Sequence, residues 1–214
     1  KNRNAEALAL LERLIEANPQ HLILVYQKAE LLRLLRRYDD SRLVLDTVCR
    51  EHPDDLFVKI MTAQGLFQTG IYDQAVALLQ PISESVLSDA DATQAFKSTT
   101  LNSLVWNSLF LDKISAHTPD QARRLQEFAT GPDVLHTVAT AYAELGLVAE
   151  TRQVLLQLLA IRPQEDPVDW YIVGRLAEHL ELPEVAASAY RRVTRNEWSE
   201  FGTTFQLAQR RLKG

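Results

Sequence analysis

The chain has 214 residues, 46% hydrophobic and 24% charged, enough to bury a core without disulfide or metal staples. Its formal charge of −5, with Lys and Arg scattered in short pairs, excludes a generic nucleic-acid binder, because phosphate recognition needs clustered cations. A single cysteine, Cys49, excludes an internal disulfide and a cysteine-built zinc site, and no apolar run approaches the roughly 18 residues of a membrane span, so direct membrane insertion is not expected.

The sequence opens inside a helical pattern, AEALALLERLIEANP, without an initiator Met. It reads as a piece of a longer protein, and the compartment, cytoplasm or periplasm, stays open. Residues 1–19 are expected to be the second helix of an N-terminal pair. Residues 22–53 hold two helical patterns, 22–35 and 40–50, around the turn RRYDD, and close on Pro53. Residues 56–87 repeat the plan, with helices over 56–68 and 74–87 around TGIYD. Pro19 and Pro53 lie 34 residues apart, as do Tyr38 and Tyr72, Ser41 and Ala75, and Leu45 and Leu79. Cys49, near a helix end, is expected to pack as a small apolar residue.

Residues 88–131 break the period and read as a divergent unit with an inserted turn. Asp89 or Asp91 is expected to cap the helix in STTLNSLVWNSLFLDKI, and Thr118 to cap PDQARRLQEFA. The acids of DADAT lack the glycine and downstream glutamate of a calcium loop. Residues 132–163 put Leu135, Val138, Ala139 and Tyr142 on one stripe. Gly146 breaks the helix, Thr151, Leu155 and Leu158 follow, and Pro163 closes the unit. Residues 167–197 repeat this with one extra residue, as Trp170, Val173, Gly174 and Ala177, then Ala186, Ala189, Tyr190 and Val193. Gly174 is expected to face Ala186 where two helices cross closely, with Trp170 filling the groove between units. Residues 198–214 space Trp198, Phe201, Phe205, Ala208 and Leu212 as a capping helix, or as the first helix of a further unit.

The pattern of Trp170, Val173, Gly174 and Ala177 with Ala186 and Tyr190, and of Leu135, Val138, Ala139 and Tyr142 with Leu155 and Pro163, resembles the tetratricopeptide repeat (TPR) family. The resemblance implies an all-α fold, a right-handed α-solenoid of stacked antiparallel helix pairs forming one continuous domain, with a concave face lined by first helices. Lys28, Lys59 and Thr62 depart from the family's apolar slots and imply looser packing in the early units.

No glycine-rich phosphate loop, HExxH or GxSxG occurs, and the five histidines are scattered, with surface or groove positions expected for them. No enzyme activity, metal or cofactor is therefore expected. What remains is shape. First-helix residues pointing away from the packing stripe make a candidate partner-binding groove: Tyr26, Glu30, Phe57, Ile60, Gln64, Phe67, Asn102, Trp106, Phe110, His136, Tyr171 and Arg175. Large apolar residues on a face that water would otherwise cover point to a protein or peptide partner. The competing reading packs Trp106 and Phe110 under the 83–97 insertion or against a missing neighbour. Some TPR domains grip a chaperone's C-terminal carboxylate with Lys and Asn; Tyr26, Glu30 and Ile60 stand in those slots here, which argues against such a clamp. The alternatives are a structural scaffold that self-associates through its convex face or its ends, and a regulatory domain of a larger enzyme.

Overall fold

The structure, a computed structural model, describes residues 2–162, 164–195 and 199–213, the first three by backbone alone. Among these residues the regular elements are twelve α-helices and one 3-10 turn over Pro167–Asp169, an all-α solenoid of helix pairs. In order they are α1 (Asn2–Ala17), α2 (Leu22–Leu34), α3 (Tyr38–Glu51), α4 (Leu56–Gln68), α5 (Tyr72–Ser88), α6 (Gln94–Ser108), α7 (Thr118–Phe128), α8 (Pro132–Glu144), α9 (Val148–Ile161), α10 (Trp170–His179), α11 (Pro183–Arg192) and α12 (Thr204–Lys213). Pro163 and Trp198 lie outside the described residues.

The chain forms two compact units, Lys1–Ile82 and Ser83–Gly214. The division falls inside α5, one residue after Pro81, whose ring removes a backbone donor from the helix. In the first unit α2 packs on α1 and α3 and also meets α4, while α3 meets α4. In the second, α6/α7, α8/α9 and α10/α11 pair, and the first helices α6, α8 and α10 line up side by side. Residues one period apart share an environment: Ala29 and Ala63, Leu32 and Leu66, Ser41 and Ala75, and Leu45 and Leu79 are all buried. Ser41 tolerates burial because its hydroxyl donates to the Ala29 carbonyl at 2.8 Å. Cys49 is half-buried against the core of Tyr26, Ala29, Leu45, Val48 and Val58.

Four pairs turn the same way. Arg36, Gly70, Gly146 and Glu181 have positive φ of 58°, 86°, 73° and 59°. After each, the next amide reaches back to close the preceding helix: Arg37 to Leu32, Ile71 to Leu66, Leu147 to Tyr142 and Leu182 to Ala177, at 2.9–3.0 Å. Glycine adopts this conformation freely; Arg36 and Glu181 carry a Cβ that resists it. Arg36→Gly and Glu181→Gly should each stabilise by about 0.5–1 kcal/mol, once the extra freedom of the unfolded glycine is subtracted. A raised urea midpoint with unchanged slope is the expected reading; a lower midpoint would contradict the strain.

Several local expectations are corrected. Thr93, not Asp89 or Asp91, caps α6, its hydroxyl accepting from the Phe96 amide at 3.2 Å. Asp89 instead accepts from the Asp91 amide. Thr118 is the first residue of α7 rather than its cap. Gly174 faces the ring of Tyr190, not Ala186. Trp170 is only half-buried; its indole donates to Glu165, and the Arg192 guanidinium lies 4.0 Å from the ring centre.

Candidate interaction faces

In the first unit α2 and α4 border a cleft of about 500 Å³. Its walls include Ile23, Gln27, Glu30 and Leu34 from α2, and Phe57, Met61, Gln64 and Gln68 from α4. These two rows are related residue by residue through the 34-residue period, with spacing i, i+4, i+7, i+11 along each helix. Ala29, Ser41, Leu45 and Gly65 also line it. Gly65 lets α4 approach α3 closely: a Cβ there would meet Leu45 Cδ1, and that buried side chain would have to shift.

Tyr26 supports the cleft from inside. Its hydroxyl donates to the Val58 carbonyl at 3.0 Å, and its ring meets Phe57 edge-on at 5.5 Å. Burial pushes its pKa up to about 12, so it stays a neutral donor. Phe57 remains 43% exposed, Ile23 50% and Leu34 49%. Glu30 is exposed and holds Arg33 through two hydrogen bonds, at 2.7 and 2.5 Å, which raise the arginine's pKa. Of the expected groove residues, Tyr26, Glu30, Phe57 and Gln64 meet at this cleft. Ile60 and Phe67 are half-buried and lie off it; Phe67 packs edge-on against Tyr72 at 5.4 Å. Leu34 and Gln68 were missed, although each lies four residues beyond an expected position on the same stripe.

In the second unit the first-helix face is covered, and the covering is the chain's own C-terminal segment. Leu207 and Ala208 of α12 are buried. The Trp106 indole donates to the Gly202 carbonyl at 3.2 Å, and its ring meets Phe110 edge-on at 5.5 Å and His136 at a tilt at 5.7 Å. Phe110 is 2% exposed, and its carbonyl accepts from Arg210 at 3.3 Å. The expectation of a free aromatic face at Trp106 and Phe110 is thus corrected: neither the 83–97 stretch nor an absent neighbour is needed, because residues 202–211 supply the partners.

Beneath α12 lie two polar networks that sequence reading did not anticipate. His136, expected at a surface or groove, is buried and bonded through Nδ1 to Asp169 at 2.8 Å, and Asp169 also pairs with Arg162 at 2.8 Å. The far nitrogen of His136 lies 3.5 Å from the Thr204 hydroxyl. Asn102 joins Trp106 and His136 on the rim of a smaller cleft of about 280 Å³. The second network centres on Glu144, whose carboxylate meets Arg175 Nε at 3.0 Å and Arg211 at 2.7 Å and accepts from the Tyr171 hydroxyl. Burial first, and the neighbouring Glu144 charge second, raise the Tyr171 pKa. Tyr171 and Arg175 therefore serve this internal cluster. Among the described residues no group of His, Cys, Asp and Glu is arranged to hold a metal ion, and no helix is long and apolar enough to cross a membrane.

The family model described as Tetratricopeptide repeat matches residues 1–64. A tetratricopeptide repeat protein from Parabacteroides merdae, solved by crystallography, superposes with a TM-score of 0.62 at 13% identity, covering 99% of this chain and 77% of that one. At that identity the likeness speaks for fold alone. No curated protein matches the chain. The fold is one that generally mediates protein–protein interaction and is typically non-catalytic. The repeat's sequence signature thus lies in residues 1–64, and the chain shares the fold of a solved tetratricopeptide repeat protein.

Proposed function

We propose that the chain is a non-catalytic interaction module whose first unit holds an apolar peptide or helical segment of a partner protein between α2 and α4. One observation carries the reading: a cleft whose borders keep Ile23, Leu34 and Phe57 between 43% and 50% exposed, with Gln27, Glu30 and Gln64 interleaved. Apolar anchors supply affinity there, and the amides and carboxylate fix register. Tyr26 acts from below by holding Phe57 in place. A peptide selected from a displayed library on the purified chain should lose about tenfold or more in affinity against Phe57→Ala or Ile23→Asp, roughly 1.4 kcal/mol or above. Unchanged affinity in both variants, with binding lost instead in Leu156→Asp on α9, would overturn the assignment.

That last arm addresses a second reading. Leu156, Leu159 and Ile161 of α9 are each at least 50% exposed, which favours a scaffold that self-associates through this helix. Solution mass separates the two readings: a monomer supports the peptide-binding module, and an oligomer dispersed by Leu156→Asp supports the scaffold.

A further inference from the structure

The second unit carries the means to say what its own first-helix face recognises. A cap needs only to shield the last helix pair, and α12 does meet α10 and α11. It also reaches past them. Gly202 and Thr204 engage Trp106 and His136, Arg210 engages the Phe110 carbonyl, and Arg211 pairs with Glu144. Between these polar ends, Leu207 and Ala208 are the buried anchors. The first-helix face of α6, α8 and α10 is thus read by an amphipathic helix with an apolar pair followed, two or three residues on, by two arginines.

The attachment of α12 differs from that of the other helices. Helix α11 ends at Arg192 and α12 begins at Thr204. The 11 residues between them can span at most roughly 36–40 Å when extended. That is more than twice the roughly 15 Å length of a ten-residue helix, long enough for α12 to leave the face without unwinding α11. Arg210 and Arg211 are exposed at the rim, where pairing is weak and salt-sensitive.

We propose that α12 is a built-in ligand of the α6/α8/α10 face, and that this face, once α12 has left, binds a basic amphipathic helix of the same chemistry on a partner protein. Tethering holds α12 at an effective concentration on the order of millimolar, so the intact chain is largely self-occupied. The site is separate from the α2/α4 cleft, and its test does not depend on that reading.

The experiment uses the full chain and a fluorescent peptide of residues 199–214, followed by anisotropy. Leu207→Asp removes the apolar anchor of the tethered helix; that chain should bind the free peptide at least about tenfold more tightly than wild type. The same peptide carrying Arg211→Glu should lose about tenfold on the opened chain. A folded Leu207→Asp chain that binds no better than wild type overturns the proposal, and so does a Leu207→Asp chain that unfolds. Native-state hydrogen exchange on the unaltered protein gives a reading independent of variants. Amides of α12 should exchange through a local opening while α8 and α10 stay protected. Exchange of α12 only together with α8 and α10 would overturn the proposal as well.

Discussion

Glu144→Ala should cost about 2–4 kcal/mol of stability. The carboxylate is 7% exposed, and Arg175, equally buried, lies 3.0 Å from it. Removing Glu144 leaves the buried Arg175 guanidinium with the more exposed Glu178, the His179 ring and the backbone carbonyl of residue 144, and strips the acceptor from the buried Tyr171 hydroxyl. A buried charge stripped of its most buried partner costs more than the net worth of the pair. Arg211 contacts the same carboxylate but is 37% exposed, so Arg211→Ala should cost no more than about 1 kcal/mol. Urea denaturation of the two variants side by side gives the comparison. Equal losses would mean that the cluster is wetter than its burial indicates.

Gly174→Ala should also destabilise, although alanine is the better helix former by about 1 kcal/mol. An added Cβ would stand 2.3 Å from Cε1 and 2.6 Å from Cδ1 of Tyr190. That ring is 1% exposed and packs against Tyr171 at 5.6 Å, so it has no room to swing away. Overpacking of this kind costs about 1–3 kcal/mol, and the bulkier Gly174→Leu should exceed it. The cause is checked by a double variant. Tyr190→Leu alone destabilises by opening a cavity, but in its presence Gly174→Ala should become nearly neutral. Additive losses would show that the obstacle lies elsewhere.

What was legible in the sequence was what depends on short range and on period. The 34-residue spacing, the prolines and Gly146 mark helix pairs, because a repeated packing problem is solved by repeated residues. Even so, Arg36 and Glu181 hide two of the four identical turns, since side chains that rarely adopt positive φ occupy them. Gly174 was legible as a close approach, while its partner was not: the small-residue pattern suggested Ala186, and the neighbour is the ring of Tyr190, one helical turn further along α11. Trp170 looked like a core residue by type, yet it sits half-buried beneath Arg192, because an indole can be covered by a guanidinium as well as by an aliphatic core.

The candidate site divides along the same line. Ile23, Gln27, Glu30 and Leu34 can be matched with Phe57, Met61, Gln64 and Gln68 from spacing alone, since both rows follow one helical stripe. Reading Ile60 and Phe67 into the cleft placed them one helical step away from that stripe. In the second unit, Trp106 and Phe110 have the right composition for a free face. Their cover comes from Gly202 and Arg210, roughly a hundred residues away, and no local pattern announces contacts at that separation. His136 with Asp169, 33 residues on, and Glu144 with Arg211, 67 residues on, are likewise beyond the reach of any local pattern.

The claim that matters most is that a partner segment docks on the α2/α4 face of the first unit. Chemical-shift mapping on isotope-labelled chain, titrated with a selected peptide, tests it without any substitution. The expected result is a set of perturbed amides and side chains clustered at Ile23, Gln27, Glu30, Phe57, Met61 and Gln64, saturating at one peptide per chain. Perturbations gathered instead along Leu156, Leu159 and Ile161 of α9, with the α2/α4 signals unmoved, would contradict it.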